Sequence, residues 1–221
     1  MTYRLFIDSA KPQEWDLARA RGWLHGVTTN PLIIQRAGLR VELATARDLV
    51  EAAKERALAE IQLQVTGHGA EEMLASGRAL RALWGHVTVK VPATAAGFAA
   101  ATQLIRDGAH VTITACYSAQ QTMLAAAIGA RYVAPYYARM LDAGLDADER
   151  LDAMQRIAGQ QQNLSVLVAS IRSVDQLETL ARRGFDTFTL SAPIAAAFGQ
   201  TAESDAAAAD FMKAAEDSLK S

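Results

Sequence analysis

One cysteine, Cys116, in a chain of 221 residues excludes an intrachain disulfide and accords with a reducing compartment. The four histidines (His25, His68, His86 and His110) show no metal-ligand spacing with one another or with the cysteine. No zinc site is expected from them. No apolar run approaches the length of a membrane span, and residues 1–8 are too short and too charged for a signal peptide. Neither charge sign dominates: 22 basic against 24 acidic residues give a formal charge of -2. No basic patch suits a phosphate backbone, so nucleic acid is not an expected partner. No Pro/Ser-rich linker or low-complexity tract divides the chain. A cytoplasmic globular protein without a membrane segment is the expectation.

What the chain does have is alternation. Short β-rich apolar runs at 3–8, 26–29, 60–65, 86–91, 110–114, 132–135, 164–169 and 185–190 alternate with Ala/Leu/Glu/Arg-rich stretches. The helical stretches are 12–21, 41–59, 70–83, 95–107, 118–128, 147–159 and 174–182. Regular β-then-α order implies a parallel sheet with helices outside it. About eight such units in this length match a single-domain (β/α)8 TIM barrel, an α/β fold, better than an open sheet. Gly22, Gly108, Gly129 and Gly184 each follow a helical run and precede a strand, the C-cap position. Residues 1–200 are read as the barrel. Residues 201–221 are read as a C-terminal helical arm that packs on a neighbouring subunit, with Ser204 as its N-cap and Phe211, Met212 and Leu219 upon it.

Lys90 breaks the pattern. It is the only cation in Val87-Thr88-Val89-Lys90-Val91-Pro92, otherwise a buried strand. A strand-end lysine commonly snorkels to water. An ammonium kept from water instead loses its charge and becomes an amine nucleophile able to form Schiff bases. The strand ends favour the second reading. Period-two sorting puts Val87, Val89 and Val91 on the helical side and Thr88 with Lys90 inside. Likewise Gln62 and Gln64 oppose Ile61 and Leu63, and Thr112 and Thr114 oppose Val111 and Ile113.

Catalytic groups of such barrels collect at the C-terminal strand ends. There the sequence sets Asp8, Thr28, Asn30, Gln64, Lys90, Thr114, Tyr136, Ser170 and Thr189. An amine beside a carboxylate, a phenol, an amide and a hydroxyl can form a carbinolamine, lose water, and use the iminium as an electron sink for C–C cleavage. Arg139 and Arg172 lie just past strands six and seven, where a substrate phosphate could be gripped.

These residues resemble the transaldolase superfamily, and within it the fructose-6-phosphate aldolases. The matching segments are Phe6-Ile7-Asp8-Ser9, Gly26-Val27-Thr28-Thr29-Asn30-Pro31, Val89-Lys90-Val91-Pro92-Ala93-Thr94, Tyr132-Val133-Ala134-Pro135-Tyr136 with Arg139, and Val168-Ala169-Ser170. The resemblance implies a class I aldolase with Lys90 as the Schiff-base lysine. Asp8 and Asn30 would contact sugar hydroxyls, Thr114 and Gln64 would hold the catalytic water, and Arg139 with Ser170, aided by Arg172, would bind phosphate. It implies no metal and no cofactor, and a homo-oligomer such as a ring-shaped pentamer or decamer.

Gln64 and Tyr136 are the aldolase pair, where transaldolases carry glutamate and phenylalanine. The implied reaction is reversible cleavage of a ketose phosphate such as fructose 6-phosphate into dihydroxyacetone and glyceraldehyde 3-phosphate. The alternatives are a transaldolase moving the dihydroxyacetone unit between sugar phosphates, and a non-catalytic barrel that binds sugar phosphates. Ala138, Gln62, Cys116 and the segment Met140-Leu141-Asp142-Ala143-Gly144 depart from the family pattern and bear on the acceptor.

Overall fold

A computed structural model describes residues 3–219. Eight strands, β1 (Arg4–Asp8), β2 (Leu24–Thr28), β3 (Glu60–Gln64), β4 (Val87–Pro92), β5 (His110–Cys116), β6 (Tyr132–Pro135), β7 (Ser165–Val168) and β8 (Thr187–Leu190), pair in chain order. Every pairing is parallel, and β1 closes on β8 to make a barrel. Outside it run α1 (Pro12–Ala20), α2 (Pro31–Arg36), α3 (Leu43–Glu55), α4 (Ala70–Arg81), α5 (Ala95–Arg106) and α6 (Ala119–Ile128). The remainder are α7 (Tyr137–Asp142), α8 (Ala147–Ala158), α9 (Val174–Arg182), α10 (Ala192–Ala197) and α11 (Ala202–Ser218). The expected (β/α)8 TIM barrel is present as a single domain with an extra C-terminal helix.

Local chemistry accounts for the boundaries. α6 starts in a capping box between Ser118 and Gln121 and stops at Gly129, whose φ of 81° is left-handed. Gly22, Gly108 and Gly184 are left-handed too, as their positions after helices required. The sequence did not show α2 and α7, both of six residues. α2 starts where Asn30 Oδ1 accepts from Ile33 N at 3.0 Å and Pro31 fills the first turn, a pair that reads in sequence as a turn. α11 is capped by Thr201, whose side chain accepts from Ser204 N, and not by Ser204 as expected. Capping three residues earlier adds a turn to the helix.

Packing follows the two faces of each strand. Val87, Val89 and Val91 join Ile61, Leu63, Val111, Ile113 and Trp15 in one continuous core between barrel and helices. Burial of each large aliphatic side chain there stabilises by about 1.5–3 kcal/mol. The interior is different: Phe6, Tyr132, Ala134 and Leu167 form a small separate cluster. Around it lie buried Thr28, Gln62, Thr88, Thr112, Thr187 and Thr189. Most barrels fill this volume with branched apolar residues. This one carries a polar interior.

α10 is tied to its own barrel, since Arg21 Nη1 donates to the carbonyls of Ala195 and Ala196, and Phe198 meets Trp23 edge-on. α11 has no buried residue at all, and Phe211 on it is 72% exposed. Residues 220–221 of the expected arm lie outside the described residues. Among the described residues no helix is long and apolar enough to cross a membrane.

Candidate active site

β4 delivers Lys90 into the barrel, where it is 4% exposed. Neighbours in register are Gln64 on β3 and Thr112 on β5. The strand end is held by close backbone contact with α5. A Cβ on Gly97 would lie 1.9 Å from Pro92 O, so only glycine lets the helix start there. Thr94 caps that helix through Gly97 N at 3.1 Å.

Lys90 Nζ donates to Thr29 O at 2.8 Å. Burial pushes its pKa below the ordinary lysine value, against the opposing pull of Asp8. Asp8, at the end of β1, is pushed up by burial despite Lys90, Thr28 and Arg139, which all favour its anion. Both shifts run toward the uncharged form of each group, and the Coulomb attraction between the two opposes them.

Threonines fix the carboxyl. Thr28 Oγ1 donates to Asp8 Oδ1 at 2.6 Å, and the same hydroxyl lies 2.6 Å from Thr189 Oγ1. Strands β1, β2 and β8 are thereby cross-linked at their upper rim.

Tyr136, Arg139 and Ser170 are set by the joined ends of β6 and β7. Tyr137 N donates to Ala169 O at 2.9 Å and Ala138 N to Ser170 O at 3.0 Å. Ser170 adopts φ of 61°, a left-handed conformation that a non-glycine residue takes at a cost. Tyr136 OH lies 3.1 Å from Thr114 Oγ1, and the Arg139 guanidinium covers the Tyr136 ring at 4.7 Å. Burial holds the Tyr136 pKa above the usual phenol value, so it keeps its proton.

These groups face a cavity of about 150 Å³ lined by Asp8, Asn30, Lys90, Tyr136, Arg139, Ser170 and Thr189 among others. Thr28 and Thr114 stand behind it, bonded to Asp8 and Tyr136. Gln64, the register neighbour of Lys90, also borders a neighbouring cleft with Ile34, Leu43 and Thr66. Arg172 forms a two-pronged ion pair with Asp142, Nη1 to Oδ1 at 2.7 Å, in an exposed position. That pairing joins residues 30 apart in sequence and engages both prongs of the guanidinium. Conversely Arg36, which sequence reasoning passed over, lines the cavity. The one local signal was Asn30-Pro31, which fits a turn as well as a helix start and says nothing of where a helix would end.

The opposite end of the barrel is polar as well. Glu60, 2% exposed, accepts from Tyr132 OH at 3.0 Å and from Gln62 Nε2 at 2.8 Å. Thr112 Oγ1 donates to Gln62 Oε1 at 2.8 Å, and Arg131 Nη2 lies 3.6 Å from Glu60. Burial raises the Glu60 pKa, but the hydrogen bonds and Arg131 outweigh it and hold the carboxyl below its usual value. Arg4 and Arg131 both stack on Tyr132, at 5.1 and 5.4 Å from its ring centre. Among the described residues no cluster of three or more His, Cys, Asp or Glu could hold a metal.

A closed parallel barrel with a buried lysine, a carboxyl and a phenol at its carboxyl-terminal mouth defines a class: (β/α)8 proteins with a polar cavity at the strand ends. Comparison with known proteins narrows it. The family model described as Transaldolase/Fructose-6-phosphate aldolase matches residues 5–221. Proteins named probable transaldolase are similar: that of Ruegeria pomeroyi is 35% identical over 190 residues, 84% of each chain. That of Thermus thermophilus is 35% identical over 192 residues, 84% of this chain and 86% of its own. That of Myxococcus xanthus is 33% identical over 189 residues, 85% and 82%. The chain belongs to the transaldolase/fructose-6-phosphate aldolase family.

Proposed function

We propose that the protein is a class I aldolase that cleaves and forms a ketose phosphate such as fructose 6-phosphate through a Schiff base on Lys90. The observation that carries this reading is the buried Lys90 amine, its pKa lowered by burial, beside Asp8 in a cavity with Tyr136. Neutral Lys90 attacks the ketone carbon, the carbinolamine loses water, and an iminium forms. Asp8 takes the proton of the hydroxyl next to the scissile bond. The C–C bond then breaks, its electrons pass into the iminium to give an enamine, and glyceraldehyde 3-phosphate leaves. Tyr136, protonated and bonded to Thr114, returns a proton to the enamine carbon, and water releases dihydroxyacetone.

Asn30 uses Oδ1 to cap α2, which leaves its two N–H donors for substrate hydroxyls. Arg139 and Ser170 line the cavity and would receive the phosphate. Gln64, in register with Lys90, would hold the water with Thr114 and Tyr136, and with Arg172 paired to Asp142 the phosphate falls to Arg139 and Ser170. The exposed α11, bearing Phe211 and Met212, supports assembly through that helix on a second copy.

The second reading, transfer of the dihydroxyacetone unit to another aldehyde, is favoured by the name that the similar proteins bear. Tyr136 favours the first, since a phenol can quench the enamine before an acceptor arrives. The two separate by assay. Release of free dihydroxyacetone from fructose 6-phosphate without acceptor supports cleavage; strict dependence on erythrose 4-phosphate supports transfer.

A further inference from the structure

Asp8 and Thr189 both reach the Lys90 cavity, and the residue bonded to the two of them is Thr28, which stands behind it. Thr28 is on β2 and Thr189 on β8, the two strands that flank β1. The side chains make an unbroken run from Thr189 Oγ1 to Thr28 Oγ1 to Asp8 Oδ1. Each oxygen–oxygen distance in it is 2.6 Å.

Threonines that bridge neighbouring strands commonly do no more than hold them together. Here the bonds have a direction. A hydroxyl carries one proton, and a carboxylate carries none. Thr28 gives its proton to Asp8, so in the bond between the threonines Thr189 is the donor. Thr189 then has only lone pairs left for the cavity, and a partner there must itself donate. A substrate hydroxyl is such a partner. Neutral hydroxyl pairs usually lie about 2.7–2.8 Å apart, and about 2.6 Å is the range of charge-assisted bonds. The second link is as short as the first, which accords with polarisation passed along the chain from Asp8. Thr189 and Thr28 are both buried, so the chain is shielded from bulk water.

We infer that Thr189 is a catalytic residue, which accepts the substrate hydroxyl next to the scissile bond and relays its proton through Thr28 to Asp8. The inference deepens the Schiff-base reading above and rests on it. The substrate O–H breaks as Thr189 Oγ1 takes that proton. Thr189's own proton passes to Thr28 Oγ1, and Thr28's to Asp8 Oδ1. Negative charge leaves the carboxylate for the substrate oxygen, whose electron pair becomes the aldehyde carbonyl. The electrons of the broken C–C bond go to the iminium. Every bond of the chain then points the other way, and Thr189 donates to the oxygen of the departing aldehyde.

The test compares cleavage of fructose 6-phosphate by wild type, Thr189→Val, Thr189→Ser, Thr28→Val and the double Thr28→Val/Thr189→Val variant. Thr189→Val should lose about 100-fold in kcat, within the range of proton-transfer catalysis, with KM little changed. Thr189→Ser keeps the hydroxyl and should restore most of the rate. The double variant should be no slower than either single one, because both break the same path. Borohydride trapping of dihydroxyacetone on Lys90 should persist in Thr189→Val, which shows that the variant is folded. A Thr189→Val variant that cleaves at the wild-type rate means that Asp8 takes the proton directly, and overturns the inference. So does a double variant about 100-fold slower than either single one. If wild type gives neither cleavage nor a Lys90 adduct, the Schiff-base reading fails by itself, and carbon NMR titration of the Asp8 carboxyl still decides the chain. The charged groups near Asp8, which are Lys90 and Arg139 with Arg36, Lys11 and Glu14 along the adjoining cleft, are the same in every variant. Thr189→Val should raise the Asp8 pKa, since Thr28 loses the donor that polarises it, and Thr189→Ser should leave it near wild type. The same titration in all three overturns the chain.

Discussion

Thr28 holds Asp8 by a hydrogen bond of 2.6 Å from its hydroxyl to Oδ1, across the seam between β1 and β2. The bond favours the carboxylate of a residue that burial pushes the other way. Thr28→Val keeps the shape and removes the donor. The Asp8 pKa then rises further, because the hydrogen bond that favours its anion is gone. The acidic limb of the pH–rate profile should move to higher pH, with the alkaline limb unmoved. A profile identical to wild type would dissociate Asp8 from the proton transfer.

Lys90 costs stability where it sits. Its folded-state pKa is below 10.5, so the unfolded chain binds more protons between those two values. The penalty is full below the folded value and fades as pH rises to 10.5. Lys90→Met should therefore be inactive yet more stable, by about 1–3 kcal/mol at pH 6–7. The gain should shrink as pH approaches that of a free lysine, and thermal melts at about pH 6.5 and 9.5 read it. A variant less stable than wild type at the lower pH would mean that the ammonium is well solvated or well paired.

Tyr136→Phe removes the proton source bonded to Thr114. Cleavage to free dihydroxyacetone should fall by about 100-fold, within the range of general acid catalysis, while transfer to an added aldehyde falls less. The ratio of transfer to release is the observable. An unchanged ratio contradicts the role given to the phenol.

Glu60 stabilises the lower end of the barrel. Its folded pKa is below 4.5, so its contribution is present above that pH and is lost as pH falls through the folded value. Glu60→Gln should be less stable than wild type by about 2–4 kcal/mol at pH 7, because Arg131 loses its buried partner. The gap should narrow near pH 3, and melts at the two pH values test it.

The fold and the inner face of the site were legible because both are periodic. Val87, Val89 and Val91 against Thr88 and Lys90 is a period of two, and the glycine stops of α6 and its fellows are local chemistry. What escaped depends on distant partners or on choices between local ones. Arg172 is paired with Asp142, 30 residues earlier, and the Glu60 cluster joins β3 to Tyr132, 72 residues on. Arg36 escaped because Asn30-Pro31 serves a turn and a helix start equally well in sequence. Only the α2 backbone selects the helix.

The most direct measurement is borohydride reduction of the native protein in the presence of dihydroxyacetone, followed by peptide mass mapping. A stable adduct should form on Lys90 alone and be absent in Lys90→Met. No adduct, or one spread over the surface lysines Lys11, Lys54 and Lys213 with Lys90 unmodified, would contradict an amine-centred site.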